Sequence, residues 1–97
     1  MSEVHDDEAA NQYVITVDGE QAGVAHYEVV RGGRVFDHTE IDSAFEGKGL
    51  GSVLARGALD DVIERSIPFA ASCPFIVRFL ERHPDHGAAQ DPSLLAS

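Results

Sequence analysis

Three glycines at alternate positions, Gly47, Gly49 and Gly51, stand ahead of an apolar run in the stretch FEGKGLGSVL, Phe45 to Leu54. Glycine costs conformational entropy wherever the chain is ordered, so this density implies close backbone approach, unusual dihedrals, or both. At a helix start such a turn offers unpaired N–H groups and the positive end of the helix dipole, an arrangement suited to phosphate. The bland alternative, that the glycines only let a helix pack against a sheet, rarely calls for three of them. Two phosphate motifs do not fit. A Walker A loop closes on Gly-Lys-Ser/Thr, whereas Lys48 lies between glycines. A dinucleotide fingerprint, G-x-G-x-x-G/A, would need a Gly or Ala where Ser52 stands, and an acidic residue where the next strand ends in Ser72-Cys73.

Other residues could move protons or acyl groups. Strict alternation along the strand that carries VFDHTEI places Phe36, His38 and Glu40 on one face and Asp37, Thr39 and Ile41 on the other. His38 and Glu40 on a shared surface are general-base candidates, or else a structural histidine and a solvated carboxylate. Cys73 is the single cysteine, so it forms no intramolecular disulfide and no zinc site unaided. It ends a short apolar segment just before a helix whose positive end favours a thiolate, and reads either as a chemical thiol or as a small buried hydrophobe. His83 and His86, in HPDH, are weak metal-ligand candidates, and no metal site is expected. His5 and His26 have no partner visible in sequence. Arg78 and Arg82, at i and i+4 of a helix, are a solvated pair or lie near the phosphates of an adenosine.

The elements that position these residues follow from periodicity and turn chemistry. Residues 1–10 read as an acidic flexible leader, 11–86 as one folded domain, and 87–97 as a tail with little signal. Three strands, Tyr13–Val17, about Ala22–Val30 and Arg34–Ile41, joined at Asp18-Gly19 and Arg31-Gly32-Gly33, form an antiparallel meander. Leu50, Val53, Leu54, Ala58 and Val62 recur at helical spacing over four turns. Ile67–Ser72 reads as a buried strand, which makes a βαβ unit with a right-handed crossover. Pro74 opens a second helix that ends before Pro84. The fold class is therefore α+β or α/β, with a mixed sheet.

A chain of 97 residues supports one modest core. Its net charge of -10, with 17 acidic against 7 basic residues, disfavours nucleic acid as a partner. The acidity fits a cationic substrate or a surface adapted to high salt, and the near absence of Lys favours the second. No apolar run is long enough to span a membrane and no secretory signal is encoded, so a cytoplasmic location is expected.

EGKGLG, Glu46 to Gly51, resembles the Q/R-x-x-G-x-G/A motif of the GNAT superfamily, with Glu46 in place of the usual Gln or Arg. HTEIDSAFEGKGLGSVLARGALDD together with SCPFIVRFLERHP resembles a short single-domain branch of GNAT-like acetyltransferases, over about Val14 to Pro84. The resemblance implies a GNAT-like sheet in which the strands ending at Ile41 and Cys73 splay apart. It implies acetyl-CoA as cosubstrate, held by Glu46, Gly47, Lys48, Gly49, Leu50, Gly51 and Ser52, and by strand backbone at Thr39 and Ile41, where an oxyanion donor is expected. Glu46 is expected to point away from the pyrophosphate. The implied reaction is direct acetyl transfer to a primary amine of a small molecule, polyamine or protein, with His38 or Glu40 as base. Cys73 would protonate the leaving thiolate, or carry the acetyl group with His38 as its base. A non-catalytic acyl-CoA sensor is the rival reading. The chain has no room for the N-terminal helices that usually shape the acceptor pocket, which leaves that side open or completed by a partner, in a monomer or homodimer.

Overall fold

The computed structural model describes residues 1–96. Five strands form one sheet in the order β1 (Ser2–Asp7), β2 (Gln12–Val17), β3 (Glu20–Val30), β4 (Gly33–Ile41) and β5 (Phe69–Ala71). The first four are antiparallel neighbours, and β5 lies parallel to β4. The hairpins β2–β3 and β3–β4 turn on two residues each. Asp18 and Gly19 have φ of 51° and 86°, and Arg31 and Gly32 have φ of 48° and 78°. Positive φ at both central residues gives the turn whose twist matches that of the strands.

Helix α1 (Leu50–Glu64) carries the chain from β4 to β5, and α2 (Pro74–Arg82) leads to a short α3 (Pro84–Ala88). Leu54, Ala55, Ala58, Leu59 and Val62 of α1 and Ile76, Phe79 and Leu80 of α2 are buried with Tyr13, Tyr27, Phe36 and Phe69 of the sheet. Each fully buried Leu or Ile in this layer contributes about 1.5–3 kcal/mol. Close approach is built in at Gly57, where a Cβ would stand 2.8 Å from Cβ of Val4.

That contact belongs to a segment expected to be a loose leader. Residues 2–7 are instead a full edge strand, paired along its length with β2 and anchored across the fold through Asp6. Arg34 is only 8% exposed and points into the helix layer. Its Nη1 donates to Asp6 Oδ2 at 2.7 Å and to Tyr13 Oη at 2.9 Å. Tyr27 Oη donates to Asp6 Oδ1 and Tyr13 Oη to Asp61 Oδ2, at 2.8 and 2.6 Å. Arg65 joins Asp6, Asp61 and Glu8 from the end of α1. Burial and the hydrogen bond to Asp6 push the Tyr27 phenol up to about 12.

The tail is also placed. Asp91 N–H donates to the Phe69 carbonyl at the free edge of β5. Leu94 packs with Val35 and Ala70 on the face away from the helices, and Arg31 donates to the carbonyls of Ser93 and Ala96. Gly87 and Ala88, expected in the tail, finish α3.

Candidate active site

The parallel pair β4–β5 is short. Arg34, Val35 and Phe36 stand opposite Phe69, Ala70 and Ala71, and the N–H groups of Ser72 and Cys73 both donate to the Phe36 carbonyl, at 2.9 and 3.1 Å. Pro74 then starts α2 while β4 runs on to Ile41. A gap therefore opens beside the second half of β4.

What lines the gap is set by a bulge. The β3–β4 register steps from His26↔His38 to Tyr27↔Phe36, so Asp37 is an extra residue in β4. The expectation that Phe36, His38 and Glu40 share a face is thereby overturned. Phe36 faces the helices. Beyond the bulge Thr39 and Ile41 take that side, Thr39 against Cys73 and Ile41 against the core. His38 and Glu40 lie on the opposite face, 64% and 71% exposed, with Nε2 and Oε2 3.6 Å apart. His26, with no partner visible in sequence, bonds Asp37 through Nδ1 at 2.7 Å.

The ladder also fixes which backbone groups meet the gap. Asp42 N–H donates to the Ala22 carbonyl of β3. Backbone direction alternates along a strand, so His38 and Glu40 pair with β3 while the N–H groups of Thr39 and Ile41 point into the gap.

Cys73 is 5% exposed, at the N-cap of α2, and its Sγ lies 3.5 Å from Thr39 Oγ1. It faces the helix side of β4 and His38 the other. The strand separates them, so the pairing of His38 as base with Cys73 is not formed.

The glycine turn sits where the gap meets the helices. Gly47 and Gly49 have φ of 81° and 72°, and a Cβ at either would project into open space. Gly49 is the N-cap of α1, so the N–H groups of Leu50, Gly51 and Ser52 have no intrahelical acceptor. With Ile41, Phe45, Glu46 and Phe75 these residues enclose a cavity of about 210 Å³. Glu46 is exposed on its rim, and Lys48 Nζ lies 5.7 Å from the Phe45 ring centroid. On the other face of β4, Gln21, Val24, Glu40 and Asp42 line a second hollow of about 220 Å³.

Phe75 was not singled out from sequence. It is 41% exposed and 2.8 Å from where a Gly51 Cβ would be. Its signal was present, an aromatic directly after the N1 proline of α2. His83 and His86 are engaged elsewhere: His83 stacks on Phe79 with centroids 3.9 Å apart, and His86 Nε2 lies 2.7 Å from Asp60 Oδ1.

A family model described as GCN5-related N-acetyl-transferase matches residues 12–89. The chain is 33% identical over 84 residues to protein NATD1 of Bos taurus, covering 84% of this chain and 74% of that protein. It is 32% identical to NATD1 of Homo sapiens, with the same coverage. Its fold matches a GCN5-like protein from Staphylococcus aureus with TM-score 0.66 at 22% identity, over 92% of this chain and 87% of the other. It matches the ribosomal-protein-alanine N-acetyltransferase from Brucella melitensis with TM-score 0.55 at 25% identity, over 88% and 65%. The mixed five-stranded sheet is thus a shared fold, and the chain belongs to the GCN5-related N-acetyltransferase family.

Proposed function

We propose that this protein transfers an acetyl group from acetyl-CoA to a primary amine by direct attack across the β4–β5 gap. The observation that carries the reading is the placement of three groups around that gap. Two backbone N–H groups point into it, the glycine turn and Cys73 lie on its helix side, and Glu40 and His38 lie on its open side. The turn fits the proposed donor: two positive-φ glycines with open space beside them leave room for pyrophosphate against the free N–H groups of α1. Acetyl-CoA, when bound, supplies an acetyl group activated as a thioester.

Each residue of the chain then has a separate task. Thr39 and Ile41 N–H stabilise negative charge developing on a carbonyl oxygen in the gap. Glu40, with His38 beside it, takes the proton of the attacking amine, directly or through water. Glu40 and Asp42 give the acceptor hollow a negative field that favours a cationic amine. Cys73 Sγ–H holds a proton on the opposite side of β4, where a leaving thiolate needs one. No base reaches Cys73 from β4, which argues against an acyl-enzyme route.

Intact mass after incubation with acetyl-CoA alone, native and then denatured, tests the donor. One non-covalent ligand on an unmodified chain is expected. An acetyl group fixed on Cys73 would overturn direct attack, and no ligand would overturn the acetyltransferase reading. Amine-dependent release of CoA tests the acceptor. Glu40→Gln with His38→Ala should lower that rate by about 10²-fold or more while donor binding persists. Binding with no turnover on any amine would mark a sensor instead.

A further inference from the structure

The basic residues of this acidic chain are not spread evenly. Of its 7 Lys and Arg, Arg34 and Arg65 are held by Asp6, Glu8 and Asp61, and Arg31 holds the tail. The other four are Lys48, Arg56, Arg78 and Arg82. Among the described residues, none of them has a carboxylate within ion-pair distance. On a chain with 17 carboxylates, unpaired cations form a local positive field where they cluster, as Arg78 and Arg82 do on one groove.

The groove runs on from the glycine turn. Ser52 and Phe75 line the cavity at the turn, and both also line a neighbouring one of about 140 Å³ completed by Arg78, Phe79, Arg82 and His83. Arg78 and Arg82 are one turn apart on the exposed side of α2. Phe79 is 5% exposed and carries the His83 ring stacked on it, with the Arg56 guanidinium 5.8 Å from its centroid. His83 Nδ1 donates to the Phe79 carbonyl at 2.8 Å, which leaves Nε2 as the ring atom free for a ligand.

Two guanidinium groups and an imidazole around one small cavity suit a phosphate monoester, which accepts paired N–H donors. We propose that Arg78, Arg82 and His83 form a subsite for the 3′-phosphate of the CoA adenosine, so that the protein selects 3′-phosphorylated CoA over dephospho-CoA. The inference rests on the donor reading above. A pyrophosphate at the glycine turn puts the adenosine one step further along the groove, past Phe75, whose exposed ring offers the base an apolar platform.

Calorimetric titration with CoA and with dephospho-CoA, on wild type and on the Arg78→Gln/Arg82→Gln variant, tests this. Wild type should bind CoA about 10- to 100-fold tighter than dephospho-CoA, the range for losing charge-assisted hydrogen bonds. The variant should bind both with the weaker affinity. Both arginines are exposed, and circular dichroism serves to check that the variant is folded. Equal binding of the two ligands by wild type would overturn the subsite and leave the donor reading intact. Discrimination that survives in the variant would overturn the assignment to these arginines. Binding of neither ligand would overturn both proposals.

Discussion

Asp6→Asn should cost far more than a substitution near a chain end ordinarily does. The side chains of Arg34 and Asp6 are 10% and 11% exposed and meet at 2.7 Å. Removing one partner of a buried ion pair typically costs about 3–5 kcal/mol, because the other charge stays behind. Here Tyr13 Oη at 2.9 Å and Glu8 at 3.5 Å still face Arg34, and the Asn carbonyl still accepts a hydrogen bond. The loss should therefore be about 2–3 kcal/mol, a fall in Tm of about 10–20 °C for a chain of this size. Urea unfolding at pH 7, followed by circular dichroism, measures it. Replacing both partners, Asp6→Leu with Arg34→Met, should be more stable than Asp6→Asn, the remaining loss being the buried Tyr27 hydroxyl left without its Asp6 acceptor. A cost below about 1 kcal/mol for Asp6→Asn would mean that β1 is not anchored by the pair. A double variant no better than the single one would refute the uncompensated-charge argument.

The same pair predicts a pH dependence. Burial alone raises the Asp6 carboxyl, but hydrogen bonds from Arg34, Tyr27 and Arg65 outweigh it and hold the group below its ordinary value. Folded Asp6 thus binds a proton less readily than unfolded Asp6, and its stabilisation is fully present above the unfolded carboxylate range. It should fade as pH falls below about 4. In Asp6→Asn that component of acid unfolding should be missing.

Three further substitutions probe the glycine turn. Gly49→Val puts a β-branched residue at φ 72° with no steric obstacle, so the strain is conformational, about 1–3 kcal/mol; calorimetry should show CoA binding lost while circular dichroism shows a folded chain. Gly51→Ala should leave Tm unchanged or slightly raised, since Ala is favoured over Gly in a helix by up to about 1 kcal/mol, yet weaken CoA binding, because the new Cβ displaces the exposed Phe75 ring from the groove. Stability and affinity moving in the same direction would contradict that reading. Glu46→Gln should tighten CoA binding by about two- to tenfold at low ionic strength, the effect of removing one negative charge from the rim of a cavity that takes a doubly charged pyrophosphate, with the gain shrinking in 1 M salt.

Much of the fold was legible because its signals are local. Asp18-Gly19 encodes its own turn, and the 3.6-residue spacing of Leu54, Ala58 and Val62 encodes the buried face of α1. The glycine turn was legible for the same reason. What escaped depends on partners distant in sequence. The acidic run before Asn11 looks like a solvated leader until Arg34 and Arg65, 28 and 59 positions beyond Asp6, are brought to it. Leu94 looks like an unattached tail residue until Val35 and Ala70 form the surface it covers. The bulge at Asp37 has no composition signature, since an extra residue in a strand looks like any other, and only the cross-strand register shows it.

That one residue decides how β4 divides its work. In an unbroken strand the side-chain and backbone directions of Phe36 would recur at His38 and Glu40. Both ionisable groups would then face the apolar helix layer beside Cys73, where a charge is costly to bury, and their own N–H groups would face the gap. The inserted Asp37 reverses both parities. Thr39 and Ile41, which carry no charge, now turn their side chains toward the helices and their N–H groups into the gap, while His38 and Glu40 turn to water and the acceptor hollow. In the proposed reaction, a donor on the helix side and a proton acceptor on the open side would then work across a single strand without either being buried against the other. The site is assembled less by the choice of residues in VFDHTEI than by the point at which the alternation is interrupted.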